Sequence, residues 1–277
     1  MGVSQVFSNT FKSSQRSIPR IGVSKKRSKG VSNATFSQPA SLTTGQIISA
    51  MPPVPDQSIM LGRCADGLPF LLTLRDPALG AILISGDKGC GKTHQLQVIA
   101  DTAIRLNAPH ELQIAILTAH PEEWVLFQKD QNRNKYLQEI CAWYDDRVEV
   151  LIKELTELAE ARREGSPKDT AVLLIVDDLN FIENLGFEAQ INLHWLLAYG
   201  TPVGIWPIGT LKACYAPDFH YWIETFRTLI IGSIESKLTG ETLTNHLNAQ
   251  AHHLDPGSFQ VWTGKHWFAF ALPLLGN

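Results

Sequence analysis

Residues 81–106, "AILISGDKGCGKTHQLQVIADTAIRL", constrain this chain more tightly than any other stretch. An aliphatic run breaks at a loop with glycine at 86, 89 and 91, then passes into an amphipathic segment. The pattern Gly86-x-x-x-x-Gly91-Lys92-Thr93 needs a strand before it and a helix after it, and this sequence provides both. Diphosphates and triphosphates need many donors at close range without bulky side chains. The glycines let successive N–H groups turn inward at the positive end of the following helix. Gly86, Asp87, Lys88, Gly89, Cys90, Gly91, Lys92, Thr93 and His94 are therefore expected to line a nucleotide site. Lys92 is placed to reach the β- and γ-phosphates of ATP, and the Thr93 hydroxyl to ligate Mg²⁺. Cys90 reads as a small residue whose backbone is used, in preference to a redox switch. His94 is expected to face solvent or pack on the sheet more than to do chemistry.

Phosphate chemistry of this kind also needs a carboxylate on a neighbouring strand. "LLIVDDLN" places Asp177 and Asp178 after four apolar residues, where ligands gather at strand carboxyl ends. Asp177 is expected to hold the metal through water, and Asp178 to orient or deprotonate the attacking water. A lone acid there would read as a helix cap. Two in a row after a buried strand favour the functional reading.

The remaining elements read as strands over 112–118, 171–176, 203–209 and 228–234, with a helix over 91–106. A long helical region is expected from about 135 to 164, another helix over 188–200 ending at Gly200, and another over 237–248. Hairpins flank the series: one near 58–75 turning at Asp66-Gly67, the other over 257–272 turning at Gly264-Lys265. Apolar runs without alternation, spaced by helices, indicate a mainly parallel α/β sheet covered on both faces. The prolines of "MPPVPDQ", 51–57, close the preceding segment, so residues 56–277 are expected to form one domain.

Residues 1–55 hold seven of the 24 basic side chains and no Asp or Glu, which leaves 17 basic against 27 acidic in the rest. Rich in Ser, Thr and Gln, this segment reads as a disordered basic tail able to grip nucleic acid or an acidic partner. A plain linker and an organellar transit peptide are the alternatives. The four cysteines (64, 90, 141, 214) form no C-x-x-C pair, which argues against zinc and disulfides and suits a reducing compartment. "AHH" at 251–253 with His246 lacks an acid or Cys to complete a metal site. No apolar run is long enough to span a bilayer, so a cytoplasmic protein without a membrane segment is expected.

With these motifs in order, the chain resembles the FtsK–HerA group of P-loop motors over roughly 58–275. "GLPFLLTLRDPALGAILISGDKGCGKT" looks like that group's strand pair leading into the loop, and "IAILTAHPEEW" is similar to its Asp-Pro segment. "WYDDRVEVLIKELTELAEARREG" resembles its helix between the nucleotide motifs, and "FRTLIIGSI…LDPGSFQVW" its closing strands. The resemblance implies a RecA-like (ASCE) P-loop NTPase core, ATP and Mg²⁺ as ligands, a homo-oligomeric ring such as a hexamer, and DNA as cargo. "GIWPIGTLKA" falls where the group has a strand ending in Ala-Thr-Gln; here Leu211 replaces the Gln and Thr210 retains the polar role. Asp178 stands where the group usually has Glu. Arg227 matches the arginine supplied to a neighbouring subunit's site.

Three functions compete on the sequence alone. The first is an ATP-driven ring motor that translocates or remodels DNA. The second is an ATP-dependent assembly or switch protein with slow hydrolysis, favoured by Asp178 and Leu211. The third is a small-molecule kinase, disfavoured because no Arg-rich lid follows the motifs.

Overall fold

In the computed structural model, residues 42–244, 251, 254–262 and 266–276 are described. The expected basic segment up to residue 41, the His246, His252 and His253 group, the Gly264-Lys265 turn and the end of the helix expected over 237–248 lie outside them. Chain order begins with α1 (Thr44–Ser49), β1 (Ser58–Cys64), β2 (Pro69–Thr73), β3 (Ala81–Gly86) and α2 (Lys92–Leu106). Next come β4 (Leu112–Thr118), α3 (Val125–Lys129), α4 (Gln131–Asn134), β5 (Leu137–Ala142), α5 (Arg147–Arg163) and β6 (Ala171–Asp177). The chain continues through α6 (Phe187–Tyr199), β7 (Ile205–Lys212), α7 (His220–Ile223), β8 (Phe226–Ile231), α8 (Lys237–Leu243), β9 (Ser258–Trp262) and β10 (Trp267–Ala271).

The ten strands of the described residues join one sheet in the order β2-β1-β10-β9-β8-β3-β7-β6-β4-β5. From β8 to β5 every neighbouring pair is parallel. The two hairpins extend this core antiparallel through β8–β9 and join each other along β10–β1. Every residue of β3 and β6 is buried, as aliphatic runs require when helices cover both sheet faces. On one face α2 contributes Leu96, Ile99, Ala100 and Ala103 to a core with Ile82, Ile84, Trp206 and Ile208. On the other, α5 and α6 bring Leu151, Leu155, Leu193 and Leu196 against Leu83, Leu174 and Val176. Truncating any one of these leucines to Ala is worth about 2–5 kcal/mol.

Two expectations are corrected. Residues 137–142, expected within a long helix over about 135–164, form the edge strand β5, paired in parallel with β4 (Ile116↔Ile140, Thr118↔Ala142). The ladder and the burial of Cys141 and Ala142 outweigh a weak local helical preference, and the helix begins only at Arg147. Part of the expected tail is also folded. Thr43 and Gln46 close a capping box: the Thr43 hydroxyl accepts from the Gln46 amide at 3.3 Å, and Gln46 Oε1 from the Thr43 amide at 2.9 Å. The helix α1 that follows is tied down by Thr44 N–H donating to the Leu274 carbonyl at 2.8 Å.

Candidate nucleotide-binding site

The loop between β3 and α2 has the backbone that phosphate binding requires. Gly89 and Gly91 sit at φ +84° and +103°, and around Gly89 nothing stands within 4 Å of where a Cβ would be. Any side chain would strain both positions. Gly91 caps α2 without a side-chain hydrogen bond, and the first turn carries no acid. The amides of that turn are therefore open to an anion, on which the helix dipole also acts. Lys92 Nζ donates to the Gly86 and Asp87 carbonyls at 2.9 and 2.8 Å, so its ammonium lies folded over the loop.

The other loop residues divide by direction. Lys88 is exposed. Asp87 points away, its carboxylate accepting the Glu235 amide at 2.7 Å. Cys90 is buried, and its Sγ would lie 2.7 and 2.9 Å from a Cβ at Gly86 and Gly232. It thus fills a hole that only two glycines leave. Burial pushes its thiol up, against the lowering pull of Lys92. His94 turns from the loop, its Nε2 3.0 Å from the Pro273 carbonyl.

β6 delivers the acids beside this loop. Asp177 Oδ1 accepts from the Thr93 hydroxyl at 3.2 Å and from the Thr210 hydroxyl at 3.1 Å. Burial raises the Asp177 carboxyl above its ordinary value; the two threonine bonds oppose this, and the charges of Glu123 and Asp178 add to it. A buried carboxylate beside a hydroxyl is an oxygen donor set that suits Mg²⁺ with water and phosphate completing the shell. Among the described residues there is no group of three or more His, Cys, Asp or Glu able to hold a metal alone.

Asp178 sits at φ +77°, a conformation rare for a side-chain-bearing residue and worth about 1–3 kcal/mol of strain. Its amide donates to Thr210 Oγ1 at 2.7 Å, so one hydroxyl links both acids. One carboxylate oxygen accepts the Asn180 amide at 3.2 Å, capping the short turn Leu179–Asn184; the other lies 3.2 Å from Lys212 Nζ. The capping role weighed against catalysis for this position is thus present, alongside the ion pair. Lys212 was missed in the sequence. Burial pulls its ammonium down, but the hydrogen bond and charge of Asp178 more than offset this and raise it.

Leu211, at the position where the resemblance has Gln, is fully buried with the α5–α6 core. Arg227 is exposed at the opposite end of the sheet, its stem packed over Gly80 ahead of β3. β8 pairs Phe226 with Ala81, so five residues, about 16 Å, separate Arg227 from its own loop. It does not reach that loop in cis.

No family model matches the chain, and no curated protein matches it. Solved structures do. Thermomonospora curvata EccC (ATPases 2 and 3), in complex with a signal sequence peptide, superposes with a TM-score of 0.66 at 17% identity, over 86% of this chain and 44% of that one. EssC (ATPases 2 and 3) from Geobacillus thermodenitrificans gives 0.65 at 14%, over 86% and 47%. The pCW3 conjugation coupling protein TcpA with ATPγS gives 0.62 at 16%, over 80% and 67%. This chain spans under half the length of the first two. No helix among the described residues is long and apolar enough to cross a membrane. At these identities the likeness concerns architecture, and with the sheet order and phosphate loop it gives one result: the chain has the fold of an FtsK–HerA-like P-loop ATPase domain, RecA-like in its central sheet.

Proposed function

We propose that this domain binds Mg-ATP and hydrolyses it as one subunit of a homo-oligomeric ring, hexameric by resemblance, that translocates or remodels DNA. The observation that carries the nucleotide reading is the meeting of the open helix start at Gly91, the Thr93 hydroxyl and the Asp177 carboxylate at one strand end. Lys92 and the loop amides would hold the phosphates, Thr93 and, through water, Asp177 would hold Mg²⁺, and Thr210 keeps both acids in register. When bound, the metal would neutralise phosphate charge. In hydrolysis a water oxygen bonds to the terminal phosphorus while the bond to the bridging oxygen breaks. The electron pair leaves on ADP, and Asp178 takes the water's proton. Arg227 is the trans cation, because it faces away from its own loop.

DNA as cargo draws on the resemblance and on the seven cations before residue 30. Of the similar structures, one is a conjugation coupling protein and another is held in complex with a signal sequence peptide, so a polypeptide is the competing cargo. The test is ATP turnover by the full chain with and without double-stranded DNA, alongside Lys92→Ala. Stimulation by DNA, with Lys92→Ala failing to bind ATP, is expected. ATP affinity unchanged in Lys92→Ala rejects the loop assignment. Turnover indifferent to DNA favours the slow assembly or switch role, to which the Asp178–Lys212 pair and the apolar Leu211 already lend some weight.

A further inference from the structure

The resemblance draws a second cation for the terminal phosphate, beside Lys92, from a neighbouring subunit's arginine. Strand pairing brings one there. The last residue of β7, Lys212, lies directly opposite Gly86, the first glycine of the loop, at the ordinary interstrand spacing of about 4.8 Å. Side chains alternate along β7: Ile205 and Leu211 enter the α5–α6 core, whereas Trp206 and Ile208 enter the α2 core. Thr210 and Lys212 are in phase with the second set, so both project on the α2 side, where the loop and Thr93 stand. The buried Leu211 cannot sense a phosphate; the residue after it is on the right face to do so.

The present partner of Lys212 is the second acid. Its ammonium lies 3.2 Å from Asp178 Oδ2, and 5.7 Å above the Tyr215 ring, with the side chain 39% exposed. Both Asp178 oxygens meanwhile have partners, one the Asn180 amide and the other Lys212.

We propose that Lys212 is the cis sensor of the nucleotide's terminal phosphate, shared between that phosphate and Asp178. A phosphate anion in the loop competes with Asp178 for the ammonium. When the phosphate wins, its charge gains a second cation from this chain and the Asp178 carboxylate loses its ion-pair partner. ADP lacks the competing group, so with ADP the pair stays closed. The inference rests on reading the loop as an ATP site.

The test uses the full chain with Mg²⁺, and titrates ATP and ADP separately against the parent, Lys212→Met, Lys212→Arg and Asp178→Asn. Lys212→Met is expected to lose about tenfold or more in ATP affinity with ADP affinity within about twofold, the signature of one charge-assisted contact to the terminal phosphate. Its kcat falls by about 10²-fold, as for loss of one preorganised donor. Lys212→Arg keeps the preference for ATP. Asp178→Asn binds ATP more tightly than the parent, because the ammonium no longer has a carboxylate competitor, while turnover is lost. A surface ion pair without this role would leave the ATP-to-ADP ratio untouched in both Lys212→Met and Asp178→Asn, and that result overturns the proposal. If the parent binds neither nucleotide, the loop assignment itself falls. If it binds both and only the ratio fails to move, the loop stands and the sensor alone is rejected.

Discussion

Asp101 offers a quantitative test of how the body of the protein is closed. This residue is 1% exposed on α2, the helix that opens at the phosphate loop, and it holds two hydrogen-bond donors and one further cation. Thr44 Oγ1 donates to Oδ2 at 2.5 Å, Arg105 Nε to the same oxygen at 2.8 Å, and Arg133 Nη2 stands 2.9 Å from Oδ1 as a charge contact. Both guanidiniums also reach the Gly276 carbonyl, at 3.1 and 2.9 Å, so α1, α2, α4 and the last described residue meet at one carboxylate. Asp101→Asn keeps the shape and removes the charge, taking from the buried Arg133 its nearer counter-ion and leaving only Asp130, 3.6 Å from its Nε. Breaking such a pair from one side costs about 3–5 kcal/mol. Thr44→Val removes one hydrogen bond to a charged group, about 1.5–3 kcal/mol. Because the two share a partner, the double variant should destabilise less than the sum, with a coupling of at least about 0.5 kcal/mol. Urea denaturation followed by circular dichroism reads all three. A loss below about 1 kcal/mol for Asp101→Asn, or strict additivity with Thr44→Val, refutes the clasp. The same argument sets where the chain can be cut. A chain beginning at residue 46 loses Thr44 and the Thr43 cap, adding about 1 kcal/mol, whereas one beginning at residue 42 keeps both.

Three further outcomes follow from the geometry. Because burial raises the Asp177 carboxyl, the folded state holds that proton more tightly than the unfolded chain; its stabilising contribution is greatest below the unfolded value and falls as pH rises through the folded one. Asp177→Asn should therefore melt higher than the parent at pH 7 without metal, while Mg²⁺ at 100 times its Kd stabilises only the parent, by about 2.7 kcal/mol; equal midpoints reject the assignment. Iodoacetamide at pH 8, read by mass spectrometry, should modify the exposed Cys214 well before Cys64 and Cys141, whose thiols burial pushes up to about 11 and about 12, and before the buried Cys90. Early labelling of Cys90 would restore its candidacy as a redox switch. Mixing Lys92→Ala with Arg227→Ala chains should recover turnover, since a supplied arginine is worth about 10³–10⁵ in rate; a fully active Arg227→Ala removes the trans role.

The parts of the fold legible in the sequence are those in which one residue type repeats without interruption. "AILIS" and "AVLLIV" admit no solution but buried strands, and the glycines between Gly86 and Gly91 admit little but a phosphate loop. Residues 137–142 gave no such signal: "LQEICA" alternates weakly, and only the open edge of β4 makes it a strand. Residues 43–49 are read as tail for a similar reason, since the partners that hold Thr44 lie 57 and more residues away. The site divides along the same line. Gly91, Lys92, Thr93 and Asp177 are fixed by motifs whose spacing is local or whose strand end is obvious. Lys212 is not, because its value depends on β7 lying beside β3, a neighbour 126 residues distant, and on which face of β7 it shares with Thr210. The strain at Asp178 is equally silent in sequence, yet it follows from the same crowding. The Asp178 amide must turn to Thr210 while its carboxylate turns to Asn180 and Lys212, and a residue pulled three ways at a strand end has little backbone freedom left. A cation placed by tertiary pairing and an acid strained to meet it are the two features of this site that motif spacing cannot carry, and both belong to the same ion pair.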